Sequence, residues 1–199
     1  MDSEREKRRV LVESLGALLC LAFSPDVIKV ELFGENPKIN QNARTLQEFS
    51  NLVQAYVTLH KKQESSLPPL KQTPEPAKID EHQQLLASKI RSARANAAEG
   101  EIFTPEVRKA FLPIIRRHFQ GPYARPAQLT IKQGNPVKLH LNINEAYPEG
   151  LPWTTVPPSL LQNLPRLAHE VEYRIADRDL ILWDVKANLV VDILRQAIP

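Results

Sequence analysis

From Thr45 to Ser65, apolar residues recur every three or four positions. Leu46, Phe49, Leu52, Val53, Tyr56 and Leu59 share one face, with Gln47, Glu48, Asn51 and Gln54 off it, and this period predicts an amphipathic helix. Ser66-Leu67-Pro68-Pro69-Leu70 ends it, and Lys71 to Pro76 reads as a proline-punctuated, semi-rigid loop. A second helix is expected over Ala77 to Glu99. Its stripe of Leu86, Ile90, Ala93 and Ala97 is narrow and mostly small, and Gly100 is its stop. Thr104-Pro105-Glu106 then has the makeup of a helix start: a hydroxyl at the cap, proline at the first helical position and a carboxylate near the positive end of the dipole. The third helix turns Val107, Phe111, Ile114, Ile115, His118 and Phe119 inward, with a kink expected at Pro113 and its end at Gly121-Pro122.

From Gln128 the period changes to two. Leu129 and Ile131, then Val137, Leu139, Leu141 and Ile143, alternate with polar residues on either side of Gly134-Asn135, which predicts a hairpin. Tyr147-Pro148-Glu149-Gly150 reads as a turn, and Pro157 to Leu164 as a short helix with Pro158 in its first turn. Three alternating strands close the chain: Val171 to Ile175, Leu180 to Trp183 and Leu189 to Ile193. Asp177-Arg178 and Lys186-Ala187-Asn188 supply the turns between them. The expected fold class is therefore α+β: an N-terminal helical hairpin or three-helix bundle with a small C-terminal antiparallel β meander. Residues 26–121 form the helical region and residues 122–199 a β-rich unit packed on it.

The first 25 residues carry two readings. A basic stretch, Arg5 to Arg9, precedes the apolar run Leu15 to Phe23, which is the outline of a secretory signal; Asp2, Glu4, Glu6 and Glu13 dilute it. The alternative is a first helix with Val10, Leu11, Leu15, Leu18, Leu19 and Ala22 on its core face. The run is shorter than the roughly 20 apolar residues that span a bilayer, so any membrane association would go through residues 10–23. A short strand is also expected at Val27 to Phe33.

Composition adds constraints. With 42% hydrophobic and 25% charged residues in 199, the chain can bury a core, and seventeen prolines against six glycines point to short elements joined by stiff connectors. The net charge of +3 is spread among both signs, which argues for a mixed-charge surface over a nucleic-acid footprint. A single cysteine, Cys20, allows no intramolecular disulfide and no thiolate metal site.

Catalytic motifs are absent from the sequence. The five histidines, His60, His82, His118, His140 and His169, show no metal-ligand spacing, so no metal or cofactor is assigned. Asp177, Asp179, Asp184 and Asp192 match no calcium loop and have a local explanation at turns and strand ends. Candidate partner contacts are Tyr147 and Trp153, in the proline-rich approach to the closing strands, and Arg116 and Arg117, in a basic last turn that also complements the helix dipole. A site gathered by the fold from Tyr147, His140, Glu145 and Asp184 is the competing reading, as in an enzyme or ligand-binding domain.

Pro157-Pro158, Leu160-Leu161, Leu164-Pro165, Glu172-Tyr173-Arg174, Asp179-Leu180-Ile181-Leu182 and Asp184-Val185-Lys186-Ala187-Asn188-Leu189-Val190-Val191-Asp192 together form a pattern. It resembles the C-terminal region of a family of uncharacterised bacterial exported proteins, and the middle of the chain, with Ile102-Phe103-Thr104-Pro105, is similar to that family too. Tyr173-Arg174 to Ile193 is more loosely similar to the C-terminal meander of periplasmic nickel and cobalt homeostasis proteins, without metal ligands. The resemblance implies a periplasmic or secreted protein working on an envelope protein partner, with a cytoplasmic one as the alternative. It brings no activity with it.

Overall fold

The computed structural model describes residues 40–120, 122, 124–134, 139–148, 150–151 and 154–199, all within one unit spanning 37–199. The expectations for the first 25 residues and for the strand at Val27 to Phe33 lie outside the described residues, as does Trp153. The elements are α1 (Gln41–Ser65), α2 (Pro76–Ala93), α3 (Pro105–Gln120), α4 (Ala124–Gly134), β1 (Thr154–Thr155), α5 (Pro158–Leu161), β2 (Val171–Ala176), β3 (Asp179–Asp184) and β4 (Leu189–Leu194). Helices followed by an antiparallel sheet of order β1-β2-β3-β4 make the fold α+β.

Local chemistry sets most of these boundaries. Asn40 caps α1, its side-chain oxygen accepting from the Asn42 N–H at 3.1 Å. Thr104 caps α3 through Val107 N–H at 3.3 Å, with Pro105 in the first helical position. That helix runs on through Pro113, whose ring nitrogen cannot donate to the Lys109 carbonyl. Helix α2 stops at Ala93, six residues short of the expected end at Glu99, because tertiary bonds take over: the Arg94 carbonyl accepts from Asn144 Nδ2 at 2.9 Å. Gly100 still marks the change of direction, with a φ of +88° that disfavours any side chain.

The hairpin expected around Gly134-Asn135 is not formed among the described residues; Asn135 and Val137 lie outside them. Gln128 to Gly134 belong to α4, and residues 139–148 are irregular apart from one bridge between Ala146 and Leu189. Alternation would put Leu129 and Ile131 on one face. The helix separates them by about 200°, leaving Leu129 56% exposed and Ile131 9% exposed. A two-residue alternation is too short to distinguish the periods when only one of its members reaches the core.

The closing strands follow their expected ranges to within a residue. Ile175, Leu180, Leu182, Leu189, Val191 and Leu194 join the helices in the main core, which also holds Phe49, Val53, Val57, Leu86, Ile90, Phe111 and Ile115. Phe49, Phe103, Phe111 and Tyr173 stack and tilt against one another there, with ring centroids 4.9–6.4 Å apart. Ile181, Val190 and Ile193 face the other way and are covered by Leu141 and Tyr147, with Trp183 packed alongside. The period-two alternation thus buries both faces of β3 and β4, one under helices and one under the 139–151 segment.

Candidate functional site

Asp184 ends β3 on the same face as Leu180 and Leu182, so its carboxylate points at α1. It is fully buried. Its Oδ2 accepts from the Tyr56 hydroxyl at 2.6 Å and lies 2.6 Å from His60 Nδ1. Its Oδ1 accepts from the Ala187 N–H at 2.8 Å, closing the turn into β4. Because a carboxylate only accepts, the His60 proton sits on Nδ1. Tyr56 and His60 are four residues apart on α1 and therefore stack on one face, which is why one carboxylate reaches both.

The chain of contacts continues outward. His60 Nε2 is 3.5 Å from Glu64 Oε2, an ion-pair contact without a hydrogen bond, and Glu64 Oε1 accepts from Lys186 Nζ at 2.7 Å. Burial works against the imidazolium, but the hydrogen bond and charge of Asp184, with the charge of Glu64, outweigh it and hold His60 above its ordinary value. The Lys186 hydrogen bond holds the Glu64 carboxyl below its own. Burial, then the Asp184 charge, push the Tyr56 phenol far up, so it stays a donor. Above Glu64 and Lys186 opens a cleft of about 970 Å³, whose walls include Lys61, Leu70, Ile79 and His82.

A second buried carboxylate, Asp192, lies on β4. A bulge there leaves Val191 without a partner on β3 and re-aims the next side chain. Asp192 Oδ1 accepts from Gly100 and Ile193 N–H, both at 2.8 Å, and Oδ2 from Ile102 and Phe103 N–H, both at 2.7 Å. Arg94 completes this region: its guanidinium donates to Val191 O at 3.0 Å and Asn144 Oδ1 at 3.1 Å, and sits 5.1 Å from the Tyr56 ring centre.

Of the candidate contacts, Arg116 and Arg117 are exposed on α3, while Tyr147 is only 3% exposed. Tyr147 is a core residue, not a surface contact: its ring packs on Ile181 and Val190, and its carbonyl accepts from Asn188 Nδ2. His140 and Glu145 are exposed, and Glu145 caps a local turn through the N–H and side chain of Asn142. The fold therefore gathers Asp184 with Tyr56 and His60, not with Tyr147, His140 and Glu145. No group of three or more potential metal ligands occurs among the described residues. No described helix is long and apolar enough to cross a membrane.

Comparison of the chain with family models, curated proteins and solved structures gave no match. The functional reading therefore rests on the sequence and on this geometry.

Proposed function

We propose that this chain is a non-enzymatic accessory protein of the cell envelope or its exterior, acting through its surface on a protein partner. The observation that carries this reading is the saturation of Asp184: each of its carboxylate oxygens is taken up at 2.6–2.8 Å by groups of the chain itself. The Tyr56–Asp184–His60 cluster is then a strut between α1 and the β3–β4 turn, and Asp192 does the same for residues 100–103. Arg116 and Arg117, in contrast, project to solvent with no ion pair among the described residues. The basic stretch, the apolar run and the family resemblance of the sequence support export.

Fractionation with N-terminal sequencing tests the address; a chain with intact Met1 found in the cytosol overturns it. A photo-crosslinking side chain at Arg116 tests the surface. One discrete adduct is expected from that position and none from Gln47 on α1. Equal labelling from both positions refutes the reading. The second reading is a ligand- or metal-binding domain, or an enzyme, with a site gathered from dispersed residues. It draws on the contact line from His60 through Glu64 to the cleft above Lys186.

A further inference from the structure

At the start of α1, a cleft of about 610 Å³ opens between that helix, α3 and Asn163 just after α5. This volume is in the range of small-molecule sites, roughly 300–1,000 Å³. Its walls divide by chemistry. Leu46, Pro113 and Ile114 form an apolar floor. Lys109 and Arg117 stand on either side of Pro113 along one stripe of α3, four residues before it and four after. Among the described residues no acidic side chain lines the cleft.

Neither Lys109 nor Arg117 forms an ion pair or a side-chain hydrogen bond among the described residues, although Glu106 is three residues from Lys109 on the same helix. Lys61, Lys186, Arg94 and Arg195 are paired with acids, whereas Arg116, beside Arg117 on α3, shares the unpaired state of the two cleft cations among the described residues. His118 backs the cleft at 9% exposure, with Nε2 3.4 Å from Ser159 Oγ. Burial pushes its imidazole down, so it is a neutral polar wall. The positive end of α1 also opens here, and its first turn holds no acidic residue.

We propose that this cleft binds a small amphiphilic anion: a carboxylate held between Lys109 and Arg117, with an aliphatic body laid over Pro113, Ile114 and Leu46. Two cations without counter-charges among the described residues favour one anionic head. The apolar floor between them rewards a ligand with a hydrocarbon body, about 0.8 kcal/mol per buried methylene, which a bare inorganic ion lacks. The inference does not rest on the protein-partner reading. Crosslinking through Arg116 can fail while the cleft binds, and the reverse.

The test is titration of the full-length protein with octanoate, followed by amide chemical shifts and calorimetry. Expected is a single site whose shifts centre on residues 109–118 and 42–46, with octylamine and acetate both binding at least about ten-fold more weakly. K109Q/R117Q, at exposed positions, should keep the wild-type melting temperature and weaken octanoate by about ten-fold or more. I114D should weaken octanoate by a similar factor through the floor and lower the melting temperature, because Ile114 also packs against the core. Octanoate binding that is unchanged in both variants, or mapped elsewhere, overturns the proposal. So does equal binding of inorganic phosphate and octanoate, or binding only to phosphatidylglycerol vesicles, which would assign the charge to a surface.

Discussion

Replacing Asp184 tests the buried cluster in two steps that the geometry separates. In Asp184→Asn the amide oxygen can still accept from Ala187, and its NH₂ can donate to the Tyr56 oxygen and to an unprotonated His60 Nδ1. What is lost is the ionic strengthening of two 2.6 Å bonds, about 1–3 kcal/mol in all, reduced somewhat because no charge is buried any longer. In Asp184→Leu three buried donors lose their acceptor. At about 1–3 kcal/mol each this approaches the whole stability of a domain, about 5–15 kcal/mol. The pH dependence is sharper still. Because His60 sits above its ordinary 6.5, its contribution is complete below that value and is lost as pH rises through the raised native value. Glu64, held below its ordinary 4.5, contributes above that value and loses its contribution as pH falls through the lowered one. Without the Asp184 charge, burial, already the largest single influence on His60, is no longer outweighed, and the upper slope should reverse. Urea titrations of wild type and Asp184→Asn between about pH 5.5 and about pH 8.5 read this directly. A variant that keeps the wild-type fall in stability over this range would refute the coupling.

Two further outcomes follow from the core. Asp192→Asn turns an NH₂ toward two backbone N–H groups that can only donate, and should cost about 2–6 kcal/mol by urea midpoint; a loss below about 1 kcal/mol would count against the four-bond geometry. Leu129→Asp should stay within about 0.5 kcal/mol of wild type while Ile131→Asp costs more than about 2 kcal/mol; equal losses would restore the strand reading of this segment.

What could be read from the chain beforehand depended on how local its causes were. The faces of α1 and α3, the Thr104-Pro105 start and the turns at Asp177 and Asn188, both at positive φ, are written within a few neighbouring residues. The strand β1 is only two residues long and left no period to detect. Asp184 and Asp192 looked like turn and strand-end residues, and Asp184 does cap its turn through Ala187. Their other partners lie 124 to 128 positions away for Asp184 and 89 to 92 for Asp192, so no spacing rule could pair them. The one available signal was Tyr56 and His60, a polar pair at helical spacing on an otherwise apolar face. At Tyr147 the proline-rich flanks point to a surface loop, whereas the segment lies against the second face of the sheet.

The outer side of β4 has a consequence for solubility. Leu189-Val190-Val191-Asp192-Ile193-Leu194 is buried along its whole length, and as an open strand it would be a template for joining separate molecules. Val190 instead exchanges backbone bonds with Asn144 and Glu145 at 2.8 and 2.9 Å, and the Val191 carbonyl accepts from Arg94. An irregular segment and one arginine do the work of a fifth strand without being one. The sheet's most adhesive sequence is safe only once residues 144–146 have docked, so the hazardous species for this chain is a partly folded one in which the meander has formed before its cover.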